Sequence, residues 1–181
     1  MTSPQRPKTE SGVPTTASGA HETKRNDDIR LNNETAQLAQ RHFQWGWWSL
    51  LLFVALGVVL ETLHAFKVSG YLNVGNETRR LMWTLAHAHG TLLALVHIAF
   101  GATVALTGGP QTRSRDWASR CLTFSALLIP FGFLLGGWDI HGGDPGLGVL
   151  LVPVGAVLLL AAVAIMASSL RQTVRENDTP R

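Results

Sequence analysis

Four long apolar segments constrain this 181-residue chain more than any other feature. They extend over about 45–66, 81–106, 117–138 and 146–170. Each is long enough to cross a bilayer, because a helix needs about 20 residues to span roughly 30 Å of hydrocarbon. A continuous apolar run satisfies its backbone groups in lipid only as a helix. The predicted fold class is therefore an all-α integral membrane protein, a bundle of four transmembrane helices.

The rest of the chain is polar. Charged residues make up only 15% of the chain, against about 25% in soluble domains, and they lie mostly outside the four segments. Residues 1–40 are rich in Ser, Thr, Pro and Asn without apolar periodicity, which predicts a disordered N-terminal tail. The chain then divides into this cytoplasmic tail, a membrane domain over 41–171 and a short cytoplasmic tail over 172–181.

Composition also limits the function classes. The formal net charge is only +3, so we expect no nucleic-acid partner. The single cysteine, Cys121, excludes an internal disulfide and a cysteine-based zinc or iron–sulfur cluster. No Ser or Cys nucleophile has a base at a matching depth, so the sequence gives no indication of hydrolysis.

Lys and Arg are distributed asymmetrically around the segments. Arg113 and Arg115 lie in the second loop, whereas the last loop has neither Lys nor Arg. Cytoplasmic loops carry an excess of Lys and Arg, which places both termini in the cytoplasm. We expect a multi-pass protein of a cell membrane, a bacterial inner membrane in particular. Its partners would be the lipid bilayer and either another membrane protein or a second copy of this chain.

Ionisable residues inside the apolar segments give the best lead to function. Glu61 and His64 lie near the end of the first segment, and His87 and His89 lie inside the second. Such side chains are costly in hydrocarbon, so they usually face a bundle interior, a cavity or a bound ion. At about 1.5 Å of rise per residue, all four lie in the outer half of the membrane. We predict that they form a binding site.

Helical spacing indicates which way these residues face. Glu61 and His64 are three residues apart and share one face with Gly57. His87 begins a face of small residues that also carries His97, and small residues allow helices to approach closely. We expect His87 to face the first helix. His89 points nearly opposite and would face another helix or a second subunit.

Three further residues are secondary candidates. His97 lies in the inner half of the second segment. Asp139 and His141 lie in the glycine-rich last loop, from which they would close the outer site like a lid. His42 lies just before the first segment, and we interpret it as an ordinary interface residue.

Three functions fit this pattern. The first is a site for haem b or for zinc, iron or copper that serves redox chemistry or metal handling, since Glu-x-x-His and a histidine from the next helix are suitable ligands. The second is a non-catalytic membrane subunit in which the buried polar residues only fix helix packing. The third is proton or ion transport, although His97 alone in the inner half does not indicate a continuous path.

One short segment adds a resemblance. The second segment contains Ala86-His87-Ala88-His89-Gly90-Thr91-Leu92-Leu93, which resembles the second helix of haem–copper oxidase catalytic subunits. In that family a histidine beside Gly or Ala ligates the low-spin haem. The resemblance implies a haem-ligand role for His89, which precedes the glycine, or for His87. The chain has far fewer spans than the family and no copper-site His-His pair, so it resembles at most a small relative or accessory.

Overall fold

The described part of the chain is helical. The computed structural model describes residues 16–72, 77–107 and 113–178, with side chains described between 21 and 172. No β-strand occurs in these ranges, which agrees with the predicted all-α class. The helices are α1 Thr16–Ala65, α2 Ser69–Leu72, α3 Glu77–Thr107, α4 Arg113–Trp138, a 3₁₀ turn Leu147–Leu150 and α5 Leu151–Asp178.

Four of these helices match the four apolar segments. In the described ranges α1, α3, α4 and α5 are each long and apolar enough to cross a membrane. Each of the four extends beyond its predicted segment at one end at least, whereas α1 ends at Ala65 and α5 begins only at Leu151, after the 3₁₀ turn. This confirms the four-helix, all-α part of the prediction.

The N-terminal boundary needs correction. We predicted disorder over residues 1–40, but α1 already begins at Thr16; residues 1–15 lie outside the described part. Thr35, Leu38 and Ala39 are buried, at 7%, 6% and 4% exposure. Leu38 and Ala39 join a core cluster with residues of α3, α4 and α5. Their burial stabilises the helix before the apolar segment, which propensity alone would not do.

The helices pack in chain order. α1 lies against α3, α3 against α4, and α4 against α5. Because successive long helices run in opposite directions, both ends of the described chain lie at one end of the bundle. We call this the arginine end, since Arg41, Arg113, Arg120 and Arg171 lie there. The opposite end, which carries α2 and the turn over residues 139–146, is the loop end.

Two apolar clusters form the core. One lies towards the arginine end and includes Phe100, Val104 and Leu122. The other lies towards the loop end and includes Met82, Leu93 and Phe133. Between α1 and α3 the backbones approach closely at glycines, since a Cβ on Gly101 would lie 3.0 Å from the Ala39 carbonyl oxygen. This close approach positions the histidines described below.

Arg79 holds the loop end together. Its Nε donates a 3.0 Å hydrogen bond to the Gly137 carbonyl, and Nη1 donates one of 3.3 Å to the Gly70 carbonyl. The neighbouring Thr78 Oγ1 donates to the Gly143 carbonyl at 2.6 Å. A guanidinium at the end of α4 also interacts favourably with the negative end of the helix dipole. The start of α3 is thereby fixed to the last loop.

Candidate functional site

Three of the predicted site residues line one cavity. Glu61 and His64 of α1 and His87 of α3 lie around a cavity of about 880 Å³ at the loop end. We call it the loop-end cavity. Glu61 and His64 are exposed, whereas His87 is half-buried. The other polar side chains that line the cavity are Tyr71, Glu77, Thr78, Arg80 and Thr84.

His87 is held in place by α1. Its Nδ1 lies 2.7 Å from the carbonyl oxygen of Phe53, so Nδ1 carries the hydrogen and donates it. A Cβ on Gly57 would overlap the His87 ring, and only the absence of that atom leaves room for it. His87 therefore faces the first helix, as the sequence indicated.

His89 lies on another side of α3. Its Nδ1 donates a 2.9 Å hydrogen bond to the Leu85 carbonyl of its own helix. Its ring packs against Phe133 of α4, with centroids 4.9 Å apart. The structure thus separates His89 from the loop-end cavity, and the haem-ligand role that the oxidase resemblance implies for it stays a prediction.

Asp139 and His141 pair with each other rather than with the cavity. His141 Nδ1 lies 3.5 Å from Asp139 Oδ1, with side chains 82% and 72% exposed. Neither residue lines the loop-end cavity. The backbone of His141 instead pairs with Asp144 in a tight turn, which holds both side chains out in solvent. They do not form the lid expected from the sequence.

The loop-end cavity lacks a formed metal site. Across residues 16–72, 77–107 and 113–178, no group of three or more His, Cys, Asp or Glu side chains is arranged to hold a metal ion. Glu61, His64 and His87 therefore share a cavity without sharing a coordination geometry. Haem or a transition metal at this cavity stays a prediction.

A second polar group lies buried nearer the arginine end. His42 Nδ1 and His97 Nδ1 are 2.8 Å apart, and His42 Nε2 is 2.8 Å from Ser119 Oγ. The residues come from α1, α3 and α4 respectively. His42 is 2% exposed and His97 only 1%. We call the series Ser119, His42 and His97 the imidazole chain.

The short contact between the two rings requires a hydrogen between the two Nδ1 atoms. Two ring nitrogens at 2.8 Å require that one donates and the other accepts. Hydrogen-bond donation along the imidazole chain can run in either direction, from Ser119 through His42 to His97 or the reverse. His97 Nε2 is buried without a hydrogen-bond partner within the described ranges, although the Leu122 backbone lies beside the ring.

Packing explains why His42 reaches this position. Gly101 allows the α1 backbone at Ala39 and Phe43, and the Cβ of His42, to lie directly against α3. The His42 ring packs on Phe100 at 4.3 Å and stacks on His97 at 4.9 Å between centroids. His42 is therefore one of the most buried side chains rather than an interface residue, which corrects the sequence interpretation.

One signal for His42 was present in the sequence. Thr35, Leu38 and His42 recur at spacings of three and four, which places them on one helical face. All three are buried. Extending the helical periodicity upstream of the apolar segment would have placed His42 towards the core.

The imidazole chain opens towards a polar pocket at the arginine end. This pocket has a volume of about 270 Å³, and Ser119 is one of its lining residues. We call it the arginine-end pocket. The remaining residues that line it are Glu34, Gln37, Leu38, Arg41, Asp116 and Arg120. One end of a buried hydrogen-bond chain is thus in contact with a charged pocket.

Comparison with known proteins gives no family for this chain: no family model, no curated protein and no solved structure matches it.

Proposed function

We propose that this chain is a multi-pass membrane protein that transfers protons, and that the imidazole chain is its proton-conducting element. The observation that carries the proposal is the continuous series Ser119, His42 and His97, with both contacts at 2.8 Å and one end at the arginine-end pocket. Chains of Asp, Glu and His residues inside membrane helices are typical of proton relays. Imidazole suits this role because it has two nitrogens that accept and release protons.

The outer faces of the bundle support a membrane location. Val58 of α1 is 63% exposed, and Val157 and Leu160 of α5 are 65% and 70% exposed. Apolar faces of this extent need lipid or another apolar surface to cover them. The excess of Arg at the arginine end favours its placement in the cytoplasm of a bacterial cell.

The geometry supports a balanced proton step. In one direction Ser119 donates to His42 Nε2, and His42 Nδ1 donates to His97 Nδ1. A proton that arrives at Ser119 Oγ from the arginine-end pocket lets the hydroxyl pass its own hydrogen to His42 Nε2. His42 then passes the Nδ1 hydrogen to His97 Nδ1, and His97 releases a proton from Nε2. One proton has entered and one has left, with no net change in charge.

The step also defines how the chain is reset. After one transfer each ring carries its hydrogen on the other nitrogen. A second proton in the same direction requires each ring hydrogen to return to its first nitrogen and the Ser119 hydroxyl to rotate, whereas a proton moving back restores the first state directly. The imidazole chain therefore passes protons one at a time rather than as a continuous wire.

A purely structural role explains the buried group less well. Hydrogen bonds between membrane helices average only about 0.6 kcal/mol. Apolar side chains of similar volume would fill the same space without leaving a buried nitrogen unpaired. A packing role does not account for the contact of Ser119 with the arginine-end pocket.

Proton flux into liposomes tests the proposal. The full chain is reconstituted with an internal pH-sensitive dye, and a potassium gradient with valinomycin drives proton entry. We expect faster pH change than in empty liposomes, and background rates for His42→Ala and His97→Ala. His89→Ala is the matched control and keeps the wild-type rate, since His89 lies outside the imidazole chain. A wild-type flux equal to that of empty liposomes would contradict the proposal. An unchanged flux in both His42→Ala and His97→Ala would contradict it as well.

The loop-end cavity supports a second candidate function, which is cofactor or ligand binding. Three of the four predicted ligands, Glu61, His64 and His87, line this one cavity. A visible spectrum and a metal assay of the protein purified in detergent test this directly. Haem gives a Soret band, and a bare metal site gives stoichiometric zinc, iron or copper that is lost in His87→Ala. Protein that contains neither would exclude a resident cofactor.

A further inference from the structure

Phe53 lies between the two polar regions. Its side chain is 6% exposed, and a Cβ on Gly90 would overlap its ring. The ring therefore rests directly on the α3 backbone at Gly90. The carbonyl oxygen of Phe53 accepts the hydrogen bond from His87 Nδ1. Phe53 thus holds His87, which lines the loop-end cavity, and its ring covers the next turn of α3.

The helices stay closed beyond this ring. His87, Gly90, Ala94 and His97 follow one face of α3, and His87 and His97 are about 15 Å apart along the axis. A Cβ on Gly46 of α1 would lie 3.0 Å from the Ala94 carbonyl oxygen. Ala94 itself is 1% exposed. Apolar contact between α1 and α3 therefore separates the loop-end cavity from the imidazole chain.

Two buried polar atoms lie on this part of α3. Thr91 Oγ1 and His97 Nε2 are both buried and make no hydrogen bond of good geometry within the described ranges, although the Leu122 backbone lies beside the His97 ring. Thr91 is four residues after His87 and therefore lies close to its face. Buried polar atoms are normally paired, so an unpaired one calls for an explanation such as exchange with water. These two atoms would mark the route between His87 and His97.

We infer that Phe53 is the gate between the loop-end cavity and the imidazole chain. This inference rests on the proposed proton transfer. With the ring on Gly90, His97 Nε2 communicates with the arginine end only, through His42 and Ser119. Movement of the ring off Gly90 admits water from the loop-end cavity towards Thr91 and His97. The gate thus sets the rate of proton transfer, while the imidazole chain supplies the groups that carry protons.

Proton flux in liposomes tests the gate with Phe53→Ala and Phe53→Leu. We expect Phe53→Ala to raise the flux about tenfold or more, since each 1.4 kcal/mol removed from a barrier is tenfold in rate. Phe53→Leu keeps part of the apolar cover and gives an intermediate increase. Phe133→Ala is the matched control, because Phe133 is also buried, at 8% exposure, but its ring lies against His89, outside the loop-end cavity. It leaves the flux unchanged.

A double variant separates a gate from a damaged bundle. The extra flux of Phe53→Ala returns to background when His97→Asn is added, if protons still pass through His97. Extra flux that survives in the double variant would overturn the gate. So would a wild-type flux that depends on His42 and His97 but does not respond to either Phe53 variant. If Phe53→Ala does not fold, as judged by gel filtration and circular dichroism, Phe53→Leu decides alone. Failure of the proposed function is distinct, since wild-type protein would then show no flux.

Discussion

The loop-end cavity and the imidazole chain use the same residue types in opposite ways. In the cavity, Glu61 and His64 are exposed and His87 is half-buried. In the imidazole chain, His42 and His97 are almost completely buried, and their Nδ1 atoms are 2.8 Å apart. Histidines at an open surface are free to meet a ligand or solvent. Histidines enclosed by apolar residues interact mainly with one another.

The residues that stand out in the sequence are not the residues that the fold buries. Glu61 and His64 are conspicuous because they interrupt an apolar segment, yet the fold leaves them accessible. His42 is inconspicuous because it lies among polar residues, yet the fold encloses it. Substitutions in the two regions are expected to differ in their effects on stability and on proton flux.

The largest contrast in stability is expected between His42→Ala and His64→Ala. His42→Ala removes two hydrogen bonds and leaves His97 Nδ1 and Ser119 Oγ buried without their partner, which we expect to cost about 3 kcal/mol. His64→Ala changes an exposed side chain and should stay within about 0.5 kcal/mol. Unfolding in detergent, followed by circular dichroism, measures both. Equal losses in the free energy of unfolding would mean that burial does not set the two histidines apart.

A smaller effect is expected for Gly57→Ala. The added Cβ would overlap the His87 ring and force it away from the Phe53 carbonyl. Crowding of this kind costs about 1–3 kcal/mol. Gly70→Ala is the matched control, since nothing lies within 4 Å of a Cβ at that position. A Gly57→Ala protein as stable as the Gly70→Ala protein would show that His87 is not confined by α1.

Ser119→Ala tests the open end of the imidazole chain. The loss of its hydroxyl removes one hydrogen bond to His42, so we expect about 1 kcal/mol of destabilisation and a proton flux close to background. Ser125→Ala is the control on the same helix, because Ser125 Oγ is buried but makes no hydrogen bond in the described part of the chain. Its removal should be neutral or slightly stabilising. Flux that survives Ser119→Ala would move the proton entry elsewhere.

The smallest effect is expected for the exposed pair of the last loop. Asp139→Asn with His141→Gln removes an ion pair whose side chains are 72% and 82% exposed. Such pairs contribute about 0–1 kcal/mol. Stability and proton flux should both stay close to wild type. A clear loss of flux would restore these residues as part of the loop-end site.

The long helices were predictable because each contains a long apolar run. An apolar run of about 20 residues has few alternatives to a spanning helix, and α1, α3, α4 and α5 each contain one. The N-terminal part of α1 was not predictable in this way. Burial of Leu38 and Ala39 depends on surfaces of α3, α4 and α5 that a single segment does not reveal.

The candidate sites divide in the same manner. Local spacing placed Glu61 and His64 on one face and His87 towards α1, and all three line one cavity in the structure. The imidazole chain joins residues of three helices that are 55 and 77 positions apart in sequence. No local pattern specifies such a contact. It arises because Gly101 lets α1 approach α3, and the sequence alone gives no register for that approach.

The most direct test of the central claim is proton flux through liposomes that contain His97→Asn. The Asn amide lies near the position of Nδ1, so it can keep the hydrogen bond to His42, but it has no second ring nitrogen from which to release a proton. Proton transfer through the imidazole chain predicts a folded protein of near wild-type stability whose flux equals that of empty liposomes. His89→Asn, on the same helix, should conduct as wild type does. A His97→Asn protein that still conducts at the wild-type rate would contradict the account.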